Sequence, residues 1–303
     1  MNKILLAFAL LALASCGGGS APDTGAAPAE PSAADTAVST PAAEQDLAAI
    51  LDAQPEDVKA RYPFRKPQET LEFFGIEPGM TVVEALPGGG WYTKVLLPYL
   101  GESGQVIGAD YPFTVWELNP INEERRERQK TWVTDWPAQA EDWRTDGDAG
   151  IAAYRMTEMP PEMQGTADAI LLVRALHHLA RWEDQAGTLT VAIKDFYDVL
   201  KPGGVVGVVQ HEARPEMPDD WASGSRGYIK RELVIAKMEA AGFELVDSSD
   251  MHANPKDQPT TDDIVWRLPP TLGTSREDPE LRERMQAIGE SNRMTLKFRK
   301  PVS

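Results

Sequence analysis

The chain has 303 residues, which is enough for one or two domains with a substantial core. Its net charge of −17 and isoelectric point near 4.7 argue against a nucleic-acid or anionic-membrane surface, because phosphate binding requires clustered Lys and Arg. The single cysteine, Cys16, excludes an intramolecular disulfide.

The N-terminus has the layout of a secretory signal peptide. Lys3 provides a positive charge, residues 4–13 are apolar but too few to span a bilayer, and small residues precede Cys16. A cysteine in this position resembles a bacterial lipoprotein signal, which implies cleavage after residues 1–15 and acylation of Cys16. An ordinary signal peptide with an incidental cysteine is the alternative. By the same resemblance, Gly17 in place of aspartate favours the outer membrane, so we expect a lipid anchor at the cell envelope and a domain facing the periplasm.

Residues 16–45 are rich in Ala, Pro, Ser and Gly and contain no aromatic residue, Lys or Arg. Such a segment cannot bury enough apolar surface to offset the entropy lost on ordering. We predict a disordered tether between the membrane and a folded domain of residues 46–303.

The rest of the chain alternates between strand and helix patterns. The predicted strands are residues 81–85, 104–110, 151–155, 167–173, 205–210, 243–247 and 293–300. The predicted helices are residues 46–52, 67–74, 92–100, part of 122–143, 189–200, 228–241 and 278–289. This alternation indicates a three-layer α/β fold whose seven-stranded sheet is mostly parallel, with an antiparallel edge strand at the C-terminus. The long stretch 250–292 is typical of a binding loop or a disordered segment.

The most informative segment is the first strand and the loop that follows it. Glu84 lies near the end of this strand, and Gly88, Gly89 and Gly90 precede the next helix. Glycines allow the backbone to approach a ligand closely, and a helix start presents unpaired N–H groups to it. A tight turn without a ligand is the alternative.

Four landmarks occur in the order found in class I S-adenosylmethionine-dependent methyltransferases. They are the acidic and glycine loop 84–90, Asp110 at the end of the second strand, the pair His177 and His178 after the fourth strand, and the Lys-Pro-Gly-Gly turn 201–204. The chain resembles this superfamily over about residues 67–301, and in particular its exported "predicted methyltransferase" group. The resemblance implies a Rossmann-like methyltransferase fold, S-adenosylmethionine as cofactor and a small or lipophilic methyl acceptor.

The resemblance also implies roles for individual residues. The backbone at Gly88 and Gly90 would cradle the methionine part of the cofactor, Glu84 would organise the loop or meet the cofactor's amino group, and Asp110 would accept hydrogen bonds from the ribose. The full set of implied cofactor residues is Glu84, Gly88, Gly90, Tyr92, Asp110, Met156 and Arg174, with Met156 beside the adenine. A helix cap is the alternative at Asp110. Arg174 is unusual at the end of an apolar strand, and for it the alternatives to a cofactor carboxylate are a partner acid and a structural ion pair. The superfamily commonly has glycine where this chain has Leu86.

Histidines are the candidates for chemistry. A protonated methyl acceptor needs a base, and the ordinary pKa of histidine is close to neutrality. His177, His178 and His211 stand at ends of predicted strands, where ligands bind in open α/β sheets. A packing role for one of the pair is the alternative. No Cys–Cys or His-x-x-x-His spacing is present, so no metal site is predicted.

Five tryptophans occur early in the folded part. They could line a pocket for an apolar or aromatic substrate, but packing in the core is the favoured interpretation. They are Trp91, Trp116, Trp132, Trp136 and Trp143. Two functions remain open at this point: an envelope-anchored methyltransferase, and a non-catalytic ligand-binding lipoprotein on the same fold. The second is favoured by Leu86 and by the cytosolic origin of S-adenosylmethionine. A nicotinamide-dependent dehydrogenase is disfavoured because the loop lacks G-x-G-x-x-G.

Overall fold

The computed structural model describes residues 46–302. The predicted signal peptide, the acylation site Cys16 and the predicted tether lie outside the described residues, so these three features stay predictions. No helix in residues 46–302 is both long and apolar enough to cross a bilayer.

The sheet has seven strands, and their order in space confirms the predicted fold class. The strands are β1 (Thr81–Ala85), β2 (Gln105–Asp110), β3 (Gly150–Arg155), β4 (Ala167–Val173), β5 (Leu200–His211), β6 (Glu244–Ser249) and β7 (Arg293–Arg299). They are arranged as β3-β2-β1-β4-β5-β7-β6. Strands β1 to β5 pair in parallel, and β7 is antiparallel to both of its neighbours, β5 and β6. The antiparallel strand is therefore one position in from the edge, which β6 occupies.

Helices cover both faces of this sheet and also precede it. They are α1 (Leu47–Asp52), α2 (Glu56–Lys59), α3 (Tyr62–Arg65), α4 (Pro67–Phe74), α5 (Thr93–Leu100), α6 (Phe113–Leu118), α7 (Glu123–Lys130), α8 (Trp132–Glu141), α9 (Leu176–Ala180), α10 (Glu183–Ala186), α11 (Thr188–Val199), α12 (Arg231–Ala240) and α13 (Pro279–Ile288). Two short 3₁₀ turns lie at Pro161–Met163 and Val265–Arg267.

The three layers follow from the two-residue period of a strand. In β1, Val82 and Val83 are both fully buried but belong to different apolar clusters, because successive side chains point to opposite faces. Val83 packs in the cluster that contains Phe196 of α11, and Val82 packs in the cluster that contains Leu96 of α5. A parallel sheet covered in this way reads as continuous apolar runs in the sequence.

Three differences from the predicted elements have a clear physical reason. The segment 122–143 is divided at Thr131 into α7 and α8. The helix predicted from residue 228 begins only at Arg231, because Ile229 is extended and forms bridges with Glu212 and Ser223. Strand β5 begins at Leu200 rather than at residue 205, since Leu200 pairs with Ala167 before a register shift.

Candidate functional site

A cavity of about 690 Å³ lies at the carboxyl ends of the central parallel strands. Its lining includes Leu86 after β1, Asp110 at the end of β2, Arg174 after β4 and His211 at the end of β5. Ligands bind at this edge in open α/β sheets. The structure therefore brings together residues from four strands at the place where a small-molecule site is expected.

The glycine loop contributes two of its glycines to the cavity wall. Gly88 and Gly89 line the cavity, and a Cβ atom built on Gly89 would meet no heavy atom within 4 Å, so the backbone there is open to a ligand. Gly90 has a different role, because it has a φ of +73° and a Cβ there would collide with the ring of Trp143. Of the two glycines assigned to the cofactor, Gly88 lines the cavity and Gly90 serves packing.

Leu86, the residue that departs from the superfamily pattern, has a left-handed backbone with a φ of +54°. This conformation favours glycine and costs roughly 1–2 kcal/mol for an L-residue. The Leu86 N–H donates to the Ala109 carbonyl at 2.9 Å, and the half-buried side chain packs against the apolar cluster while also lining the cavity. Leucine is thus held in a conformation that glycine adopts without strain.

Glu84 is buried and lies outside the cavity lining. Its Oε2 accepts a hydrogen bond of 2.6 Å from the Thr93 hydroxyl, at the first residue of α5. Burial raises the pKa of Glu84 to about 7, against the lowering effect of the Thr93 hydrogen bonds. The geometry ties the end of β1 to the start of α5 across the glycine loop, which is an organising role.

Asp110 is the buried carboxylate of the cavity wall. Its Oδ2 is 3.5 Å from the Trp116 Nε1 donor and 3.7 Å from a guanidinium nitrogen of Arg155. Burial raises the pKa of Asp110 to about 6, while the Tyr111 backbone hydrogen bond and Arg155 act in the opposite direction. The following helix begins after Pro112 and has no side-chain cap, so Asp110 is not a helix cap.

Two residues that the sequence assigned to the cofactor lie behind the cavity wall. Met156 is fully buried, and its side chain lies in the apolar cluster. Its N–H donates to the Asp110 carbonyl at 3.1 Å. Tyr92 is buried with its ring 4.8 Å from that of Trp91. Neither residue lines the cavity.

The three candidate histidines meet at one end of the cavity. The ring centroids of His177 and His178 are 3.9 Å apart, and those of His177 and His211 are 5.2 Å apart. All three line the cavity, as does Trp266, whose ring centroid is 5.9 Å from that of His177. The long stretch 250–292 thus contributes Trp266 to the cavity wall, and no sequence motif identified this residue.

The hydrogen bonds of Gln210 assign the tautomer of His177. The Gln210 amide nitrogen donates to the Gly227 carbonyl at 3.1 Å, which leaves its Oε1 facing His177 Nδ1 at 3.3 Å. Nδ1 therefore carries the hydrogen, and Nε2 holds a lone pair. Within residues 46–302, this buried Nε2 has no hydrogen-bond partner. It is an acceptor without a donor, on a residue that lines the cavity.

Burial keeps the histidines neutral. Burial lowers the pKa of His177 and of His211 well below the ordinary value, and a neighbouring histidine and Arg174 lower each pKa further. Burial, with Arg181 and Arg174, lowers the pKa of His178 to about 4. His211 Nδ1 lies 2.5 Å from the Ser291 hydroxyl, another cavity residue. At neutral pH all three rings are therefore uncharged.

Arg174 has a left-handed backbone with a φ of +57°, and its N–H donates to the Val209 carbonyl at 2.7 Å. Its side chain lines the cavity beside that of Arg65, which no sequence feature singled out. Burial and neighbouring Arg293 lower the pKa of Arg174 to about 10. Arg174 makes no ion pair within 4.0 Å in the part of the chain that the structure describes, so a structural ion pair does not account for it.

Three of the five early tryptophans, Trp91, Trp116 and Trp132, line the cavity, so the interpretation that favoured packing holds only for the other two. Trp136 is buried and stacks on Trp132 at a centroid distance of 5.4 Å.

No group of three or more His, Cys, Asp or Glu side chains among the described residues is arranged to hold a metal ion.

No protein-family model and no curated protein matches the chain. Among solved structures, the [4+2]-cyclase SpnF is 18% identical with a TM-score of 0.50, over 79% of this chain and 81% of that chain. A SAM-dependent methyltransferase from Aquifex aeolicus is 15% identical with a TM-score of 0.45, over 82% of this chain and 98% of that chain.

A third similar structure is the Burkholderia thailandensis 1,6-didemethyltoxoflavin-N1-methyltransferase with bound 1,6-didemethyltoxoflavin and S-adenosylhomocysteine. It is 15% identical with a TM-score of 0.43, over 86% of this chain and 91% of that chain. At this level of identity, similarity concerns the fold. Together with the strand order, the similarity to the cyclase confirms the predicted Rossmann-like α/β fold with a seven-stranded, mostly parallel sheet.

Proposed function

We propose that the chain is an S-adenosylmethionine-dependent methyltransferase acting on a small or lipophilic acceptor. The observation that carries this proposal is the cavity itself. Open glycine backbone at Gly88 and Gly89 and the buried carboxylate of Asp110 lie on one side, and a lone pair on His177 Nε2 is available on the other. A cofactor and a proton-bearing acceptor need these two kinds of group.

The residues present fit the cofactor. Asp110 and the glycine loop follow adjacent strands, β2 and β1, so they lie within the span of one nucleoside. The carboxylate of Asp110 can accept hydrogen bonds from two ribose hydroxyls, and Gly88 and Gly89 leave room for close backbone contact. When bound, S-adenosylmethionine would supply an electrophilic methyl group on a sulfonium centre.

His177 is the residue we assign as the base. Its Nε2 lone pair would take the proton of the acceptor, while Nδ1–H stays on the Gln210 carbonyl oxygen and fixes the ring. His178 and His211, whose rings flank His177, would shape the acceptor site. In-line placement of the acceptor against the methyl group supplies the remainder of the rate enhancement.

A ligand-binding protein without turnover is the second candidate. The observation that favours it is Leu86, whose side chain lines the cavity at the loop where the superfamily commonly has glycine. The [4+2]-cyclase with the same fold illustrates that the fold does not determine the reaction.

Calorimetric titration of the full-length chain with S-adenosylmethionine tests the proposal. We expect binding by the wild type and by Asp262→Ala, a control at an exposed aspartate, and a roughly tenfold or greater loss in Asp110→Ala. Absence of binding by the wild type would refute the methyltransferase proposal, and equal binding by Asp110→Ala would refute the ribose assignment. Transfer of labelled methyl from the cofactor into an envelope extract, lost in His177→Phe, separates turnover from binding alone.

We also propose that the mature protein is lipid-anchored through Cys16, at the cell envelope and facing the periplasm. The support is the sequence pattern of residues 1–16. Metabolic labelling with a fatty acid tests it: the wild type should incorporate label and Cys16→Ser should not. Incorporation by the variant would refute the anchor.

A further inference from the structure

Four arginines converge beside the histidine end of the cavity around a single buried glutamate. Glu290 forms ion pairs with Arg61, with Arg293 at 3.1 Å and, at the limit of 4.0 Å, with Arg65. Arg174 lies close enough to Arg65 that its charge lowers the pKa of Arg65, and the charge of Arg293 in turn lowers the pKa of Arg174. The cations outnumber the one carboxylate, and all of these side chains are largely removed from solvent.

Two of the four arginines, Arg65 and Arg174, line the cavity. The Nε atoms of both are buried without a hydrogen-bond partner in residues 46–302. The guanidinium of Arg65 lies over the ring of Trp91 at 4.3 Å, which fixes its plane. A buried guanidinium with unpaired donors is costly, and a carboxylate or phosphate supplies the acceptors that it lacks.

The other carboxylates of the lining do not neutralise this pair. Asp110 follows β2, which is separated from β4 and Arg174 by β1, and it already faces Arg155. Asp57 is exposed at the rim. The unpaired positive charge therefore stays concentrated at the end of the cavity where the histidines lie.

We propose that Arg65 and Arg174 form an anion subsite that binds the acid group, a carboxylate or a phosphate, of the methyl acceptor. This inference rests on the proposed function. The amino-acid end of S-adenosylmethionine carries an ammonium and a sulfonium beside its carboxylate, so a cluster of cations favours a net anionic acceptor over it. With its acid group on the arginines, the acceptor has its reactive group near His177, and Trp91 and Trp266 give its body an apolar wall.

Benzoate is the probe, and neutral benzamide is its isosteric control. The full-length chain should bind benzoate and bind benzamide at least about tenfold more weakly, and calorimetry at low ionic strength measures both. Arg174→Met and Arg65→Met should each lower benzoate affinity about tenfold or more. Arg284→Met, at an exposed arginine of α13, should leave it unchanged. Arg174 makes no ion pair among the described residues, so its removal relieves like-charge repulsion and should not destabilise the protein. Arg65→Met also removes the contact with Trp91, and circular dichroism of each variant checks that it is folded.

A second titration identifies the source of the acid group. With saturating benzoate present, the affinity for S-adenosylhomocysteine should change less than about twofold if the two ligands occupy separate parts of the cavity. If the affinity for S-adenosylhomocysteine falls in proportion to the benzoate concentration, the two ligands compete for the subsite. The cofactor's own carboxylate would then occupy it, and the assignment to the acceptor would be overturned. Failure of the wild type to prefer benzoate over benzamide would overturn the subsite. Arginine-dependent benzoate binding without any binding of S-adenosylhomocysteine would refute the methyltransferase proposal and leave the anion subsite standing.

Discussion

Substitution of Leu86 tests whether the glycine loop is held in a strained backbone conformation. In ordinary helix or strand positions, alanine is more stable than glycine by about 0.5–1 kcal/mol. Leu86 has a φ of +54°, which reverses this order because only glycine adopts that region without a steric penalty. We expect Leu86→Gly to be more stable than Leu86→Ala, although glycine is the smaller residue.

The magnitude follows from three contributions. Both variants lose the half-buried leucine side chain, about 1 kcal/mol of apolar burial that is common to the pair. Glycine alone relieves roughly 1–2 kcal/mol of backbone strain. It also increases the entropy of the unfolded chain, which costs about 0.4–1 kcal/mol. The net expectation favours Leu86→Gly over Leu86→Ala by about 0.5–1 kcal/mol.

Urea unfolding of the full-length chain measures the two free energies, with equal slopes required before they are compared. The matched control is Leu233, an exposed residue of α12 that has no positive φ, where alanine should be more stable than glycine by about 1 kcal/mol. The two positions should thus differ in sign. If alanine is more stable than glycine at Leu86 as well, the loop is not strained and the left-handed assignment is refuted.

Three further predictions concern the cavity wall. Gly90→Ala should destabilise the protein by more than about 2 kcal/mol in urea unfolding, because alanine is strained at this left-handed position and its methyl group must displace the Trp143 ring. A smaller loss would contradict the packing role. On the proposed function, protonation of Asp110, whose pKa is about 6, would remove an acceptor for the ribose, so affinity for S-adenosylmethionine should fall as the pH drops below 6 in the wild type but not in Asp110→Asn. Nitrogen chemical shifts should show His177 as the Nδ1–H tautomer at pH 7, and Gln210→Leu should abolish that preference; an Nε2–H signal in the wild type would remove the case for His177 as base.

The strands were predictable because burial on both faces leaves a clear mark in a sequence. The apolar runs of β1 and β4 were located at their observed ends, and the helix Pro67–Phe74 was bounded by its proline and by Gly75. Asp110 and the histidines were found because they stand at strand ends, and the topology brings strand ends together. Periodicity and position at strand ends therefore accounted for the sheet and for the part of the cavity wall that the strand ends form.

The stretch 250–292 was expected to be a binding loop or disordered, but the individual residues of the remaining wall could not be predicted, since they depend on contacts between segments that are far apart in the chain. Arg65 belongs to a four-residue helix with no amphipathic period, and Trp266 belongs to a short 3₁₀ turn within a long connection. Met156 follows a strand and so resembled a cavity residue in the sequence, yet its side chain lies in the core. Its N–H donates to the Asp110 carbonyl, which continues the pairing of β3 with β2 by one residue. Position after a strand end did not by itself indicate which way the side chain points.

The placement of Arg174 links the acceptor site to the base. Burial is the main reason that the pKa of His177 is low, and His178 and Arg174 lower it further. On the proposed function, an acid group bound to Arg174 would cancel part of that positive charge, and the pKa of His177 would rise when the acceptor arrives. The base would then gain proton affinity only in the complex that contains a proton to remove. In the free protein the same arginine would keep the imidazole neutral, with its Nε2 lone pair available.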